Sequence, residues 1–142
     1  MTIRFKPFCT LALAVAASLS MAVAEEDTPL SKEMSAMNKS LRALKRQAAA
    51  ADKKAENLEL IGKMKANMDA ALKYEPAKTK DQPAADKPKY IENYKAQIVE
   101  LNKSLDALKD AINKGDAAKI QEIFDKLSDI KEKGHKDFAP DE

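Results

Sequence analysis

The sequence holds one cysteine, Cys9, and none after it. Disulfides, thiolate metal sites and a catalytic thiol are therefore excluded from the rest of the chain, as is a Cys-x-x-Cys-His attachment motif. Tryptophan is absent, and glycine occurs only three times in 142 residues. No stretch alternates apolar and polar residues as a half-buried strand does. An excess of one charge is lacking too. The formal net charge is +2. Taking Arg4 and Lys6 from the 25 basic residues leaves 23, against 23 acidic ones. A balanced chain gives no reason to expect nucleic acid as a partner.

The N-terminus reads as a targeting segment. Arg4 and Lys6 precede an apolar run from Phe8 to Met21, and Ala22-Val23-Ala24 is a small-residue cleavage site before Glu25. That is the pattern of a secretory signal peptide, residues 1–24. The run is shorter than the roughly 20 residues a membrane-spanning helix needs. Cys9 stands at its start, where a lipoprotein would place the residue at its end. Removing 24 of the 142 residues leaves 118, enough for one domain, residues 25–142, with no membrane attachment after cleavage.

What is plentiful is alanine, lysine, leucine, glutamate and aspartate, the composition of a helical protein. Four amphipathic segments stand out. Thr28-Pro29 opens the first as N-cap and first-turn proline. Leu30, Met34, Met37, Leu41, Leu44 and Ala48 then recur at spacings of four and three, a bundle seam. A break at 49–54 follows, where Asp52 is a candidate cap. The second helix is expected from about Lys53 to Tyr74, with Leu58, Ile61, Met64, Met68 and Leu72 (or Ala71) inward. Pro76, Pro83 and Pro88 mark a long helix-free loop from Glu75 to Pro88. The third helix carries Ile91, Tyr94, Ile98, Leu101, Leu105, Leu108 and Ile112. Gly115 is its left-handed C-cap, and Asp116 caps the next helix. The fourth runs from Asp116 towards Phe138 with Ile120, Phe124, Leu127 and Ile130 on one face. Gly134 is a candidate terminator. Short turns make neighbours antiparallel, so the expected fold is an all-α, up-down-up-down four-helix bundle.

That topology brings the start of helix one, the end of helix two, the long loop, the start of helix three and the end of helix four together. Met34, Tyr94, Ile98 and the lone histidine, His135, would gather there, with the Pro76 loop as a lid. Methionine sulfur and histidine nitrogen are natural axial ligands of a haem iron, and a flat macrocycle needs an open-ended apolar cavity with a ligand on each side. Each feature also has a plainer reading. A single histidine near a chain end is usually solvated, and methionines at helical spacing are ordinary core. Lys131, Lys133 and Lys136 would be a solvated face that suits the negative end of the helix dipole.

Taken together, these elements resemble the soluble cytochrome b562 family over nearly the whole chain after residue 24. The likeness is carried by Glu33-Met34-Ser35-Ala36-Met37-Asn38 through Leu41, by Lys63-Met64-Lys65-Ala66 with Pro76 beyond it, and by Gly115. Its strongest part is Leu127 followed eight positions on by His135 and then by Phe138. The resemblance implies one non-covalent haem b per chain, with Met34 and His135 as axial ligands. Met37, Leu41, Met64, Tyr94 and Ile98 fall on or near pocket-lining positions. The chain departs from the family in longer loops after helices one and two, in Gly134, and in Lys131 and Ala139 at positions where the family carries arginines.

The expected function is periplasmic electron transfer to and from a redox partner protein the sequence does not name, with no substrate chemistry and so no enzyme activity. Oligomeric state is left open. Two other readings stand beside it. One is a haem-free periplasmic bundle acting as a chaperone-like or stress-sensing module. The other is a gas-binding haem protein with an open coordination position.

Overall fold

A computed structural model describes residues 28–139; the signal-peptide expectation lies outside the described residues. Four helices are present: α1 (Pro29–Gln47), α2 (Lys54–Ala71), α3 (Lys87–Lys114) and α4 (Ala117–Phe138). Among the described residues there is no strand.

Local chemistry sets most of the boundaries. The Thr28 hydroxyl accepts a hydrogen bond from the Ser31 amide at 3.1 Å, and Pro29 sits in the first turn, where its missing N–H is not needed. Between α3 and α4, Gly115 adopts φ 69°, a left-handed conformation that favours glycine. The Asp116 amide reaches back to the Ala111 carbonyl at 3.0 Å, and the Asp116 carboxylate accepts from the Lys119 amide at 3.0 Å.

Other boundaries differ from the sequence expectation. Asp52 does not cap α2; it lies within a short 3₁₀ turn, Ala51–Lys53. The junction is held instead by fully buried Asn57, whose side-chain amide donates to the Gln47 carbonyl at 3.1 Å and so satisfies the end of α1. α2 ends at Ala71 rather than Tyr74. The segment from Glu75 to Pro88 is not free of helix. It contains a 3₁₀ turn, Ala77–Asp81, seated against α3 and α4, and α3 already begins at Lys87 with Pro88 in its first turn. Proline forbids a helix interior and tolerates a helix start. Gly134 does not stop α4, which continues to Phe138. A Cβ at Gly134 would stand 2.9 Å from Gln97 Oε1, and the Gln97 amide donates to the Ile130 carbonyl at 3.2 Å. The missing side chain makes room for a cross-helix amide.

The bundle is up-down-up-down. Asn67 on α2 donates to Glu33 on α1, the Tyr94 hydroxyl to the Ala71 carbonyl at 3.0 Å, and the Tyr90 hydroxyl to the Asp137 carbonyl at 2.8 Å. These bonds tie the start of α1, the end of α2, the start of α3 and the end of α4 to one end. Leu44, Ile61, Met68, Leu105, Leu108 and Leu127 are the fully buried centre. Their burial, at about 25 cal/mol per Å² of apolar surface, is the main force holding the helices together. α1 packs mainly on α2 and α3 mainly on α4, with α2 and α3 joining the pairs. α1 and α4 approach one another only sparsely.

Candidate functional site

Along the α1–α4 seam lies an open groove of about 560 Å³, lined by Asn38, Leu41, Arg42 and Lys45 from α1 and by Ser128, Lys131, Glu132, His135 and Lys136 from α4. The Lys45 ammonium donates to the Ser128 hydroxyl at 2.7 Å and fixes the antiparallel register. Seven residues before Lys45 is Asn38; seven after Ser128 is His135. These two therefore lie level on opposite walls.

Met34 extends the stripe formed by Asn38, Leu41 and Lys45, at spacings of four, three and four. It thus lies on the groove-facing side of α1, one helical turn (~6 Å) beyond Asn38. It is partly buried against the core and is not itself part of the lining. Met37, three residues on, turns away from the groove and is buried in the core. Of the other residues expected around a pocket, only Leu41 reaches the groove. Met64, Tyr94 and Ile98 are instead buried with Met37 in the core cluster and are absent from the groove lining. The groove mouth is consequently more polar than expected from sequence.

At the same end of the bundle, Phe138 stacks on Tyr90 and Tyr94, with ring centroids 5.2 and 5.5 Å apart. Burial pushes the Tyr94 phenol up to about 12. Tyr90 is also raised, by burial first and then by the negative charges of Asp137 and Asp81. His135 is exposed, and no hydrogen bond to its imidazole is found among the described residues.

The donor set bears on which group this seam fits. Among the described residues no group of three or more histidine, cysteine, aspartate or glutamate side chains could hold a bare metal ion. Thioether and imidazole are the donor types at hand on this seam, from Met34 and His135, and both suit an iron whose remaining coordination a macrocycle supplies. The groove volume lies within the range of small-molecule and cofactor sites, roughly 300–1,000 Å³. A second hollow of about 250 Å³, between α3 and α4, has neither histidine nor methionine in its lining.

A comparison with known families decides what kind of bundle this is: the cytochrome b562 family model matches residues 29–139. The chain belongs to the cytochrome b562 family. Cytochrome b562 proteins are four-helix haemoproteins that bind haem b non-covalently and carry electrons. The residues present on the seam fit that group. No curated protein and no solved structure matches the chain. Cytochrome b562 proteins are typically periplasmic. No helix among the described residues is long and apolar enough to cross a membrane.

Proposed function

We propose that this cytochrome b562 protein holds one haem b at the α1–α4 seam through Met34 and His135, and that it shuttles single electrons in the periplasm after removal of residues 1–24. The observation that carries the reading is that the chain's only histidine lines the larger of the two hollows described, the α1–α4 groove, with Met34 on the groove-facing stripe of the opposite wall. When bound, the haem supplies a one-electron ferric/ferrous couple. Met34 and His135 would hold the group, one from each wall, and would set the balance between the two states. Thioether ligation favours the ferrous form and raises the potential. A group held from both walls in this way would leave no open position for a substrate, so an electron carrier rather than an enzyme is the expected outcome. Leu41 would flank the macrocycle from the groove, with Met37, Met64, Tyr94 and Ile98 as the apolar wall behind it.

Family membership favours this over a haem-free chaperone-like bundle. A reading with histidine as sole ligand has one observation on its side, the position of Met34 a turn beyond the level of His135. Ferric spectra of two variants test the difference. Met34→Leu should convert a low-spin haem to high-spin and open it to carbon monoxide. Met37→Leu, a near-isosteric core swap, should cost under ~1.5 kcal/mol and leave the spectrum intact. A high-spin wild-type protein that binds carbon monoxide would overturn the Met34/His135 pair.

A further inference from the structure

α1 has a charge distribution unlike the other helices. It carries Lys32, Lys39, Arg42, Lys45 and Arg46 against a single acid, Glu33, whereas α2 has three of each sign and α4 five of each. The excess is ordered. Lys32, Lys39, Arg42 and Arg46 follow one another at spacings of seven, three and four. They therefore share one face of the helix over roughly 21 Å. All four are exposed. Like charges one turn apart repel, so a helix gains nothing in its own stability from such a row. Nor does the rest of the fold neutralise it. The ion pairs among the described residues use Lys53, Lys63, Lys65, Lys89, Lys119 and Lys126, and none uses a cation of α1.

The row has a definite place in the molecule. Arg42 belongs both to the row and to the wall of the α1–α4 groove, and Lys131 and Lys136 face it from α4. A chain of balanced charge after residue 24 thus concentrates positive charge on the helix that forms one wall of the α1–α4 groove, where Glu132 is the one acid among the lining residues.

We propose that this cationic face of α1, continued by Lys131 and Lys136, is the docking surface for an acidic partner protein. Charge complementarity commits it to that occupant. A lipid surface is disfavoured because the large exposed hydrophobic residues, Tyr74 and Val99, lie elsewhere, and peripheral membrane binding needs an apolar anchor beside the cations. Docking through rim charges accelerates encounter more than it prolongs the complex, which suits a carrier that must let go of its partner. Only this last step, electron delivery at the groove edge, rests on the reading of the seam as the haem site.

The probe is a poly-L-glutamate peptide titrated into the purified holoprotein at low salt and followed by amide chemical shifts. The shifts should fall on the exposed face of α1 and on the last turns of α4. The Lys32→Gln/Lys39→Gln/Arg46→Gln variant, which leaves the groove lining untouched, should bind about tenfold more weakly, with a shallower salt dependence. A control, Lys95→Gln/Lys103→Gln/Lys109→Gln on α3, should keep the wild-type affinity. Equal weakening in both variants, shifts spread over all four helices, or tighter binding to phosphatidylglycerol vesicles than to the peptide would each overturn the proposal. The haem spectrum of the α1 variant should match wild type. Peptide binding by a wild-type protein that takes up no haem would sink the haem reading and leave the docking face standing.

Discussion

α4 packs against two neighbours, and the two seams are built differently. Towards α3 it offers Ile120, Ile123, Phe124, Leu127 and Ile130 to the core, receives hydrogen bonds from Gln97 and Tyr90, and pairs Lys126 with Glu100 at 3.5 Å. Towards α1 the contact recorded is the Lys45–Ser128 hydrogen bond, beside an open groove. One helix thus has an interlocked side, indented by the smaller hollow beside Ser104 and Ile123, and a loosely held side. The difference teaches where the chain keeps its stability and where it leaves room for the proposed cofactor. A surface ion pair such as Lys126–Glu100 contributes little. The closed seam is strong because of apolar packing, and the open seam is available because that packing is withheld.

Truncations on either side would break the comparison most directly. Leu105→Ala, at a site with no solvent exposure, should cost 2–5 kcal/mol (roughly) with or without haem. Leu41→Ala, on the groove, should cost under ~1.5 kcal/mol in the haem-free protein and show its main effect as weakened haem binding. Urea unfolding of both variants, with and without haem, checks this. If Leu41→Ala is as damaging as Leu105→Ala without haem, the two seams are not different in kind.

A pH effect of intermediate size belongs to the closed side. Tyr94, raised to about 12, binds its proton more tightly folded than unfolded, where the value is near 10. The stability this provides is complete below pH 10 and is lost as pH rises through about 12, a total of about 2 to 3 kcal/mol. Tyr94→Phe should remove that alkaline loss, at a cost near neutrality of about 1 kcal/mol for the bond to the Ala71 carbonyl. Unfolding midpoints measured across the alkaline range should therefore cross, with Tyr94→Phe the more stable protein at the alkaline end. A wild-type curve that stays flat to pH 12 would contradict the burial of the phenol.

The smallest effects separate two glycines. Gly62 is exposed with nothing near its missing Cβ, so Gly62→Ala should stabilise by about 0.5–1 kcal/mol. Gly134→Ala gains the same helix propensity but must displace the Gln97 amide, so it should gain distinctly less or nothing. Thermal melts of the pair decide it, and an equal gain at both positions would mean that Gln97 does not hold the closed seam.

How much of this was legible in the sequence follows from the range of each interaction. The Thr28-Pro29 start, the Gly115-Asp116 turn and the apolar stripes depend on residues within a turn or two of one another, and spacing reveals them. The Asn57–Gln47 cap and the Gln97 amide beside Gly134 join residues 10 and 33 positions apart. Asp52 and Gly134 carried the familiar local signals of a cap and a terminator, and tertiary partners overrode both. At the site, the groove-facing positions of Met34 and His135 follow from periodicity together with the family resemblance. The polar character of the groove mouth does not, because it depends on how far each helix is rotated about its own axis. A lone Asn38 or Ser128 in the sequence gives no hint of facing an open groove. The row of cations on α1 was in plain view as composition but acquires meaning only beside a groove.

The open seam joins the first helix of the bundle to the last. α3 and α4 are linked by a two-residue turn, whereas Lys45 and Ser128, which meet across the seam, are 83 residues apart. Short loops close early and long ones late, so the hairpins assemble before α1 and α4 can find each other. A cofactor gripped there, as proposed, would be captured last. It could not be held by a chain whose synthesis stopped short of His135, nor by one whose two hairpins had not come together. Colour would then be a visible mark of a finished molecule, distinguishing complete, assembled chains from fragments that are helical but mute.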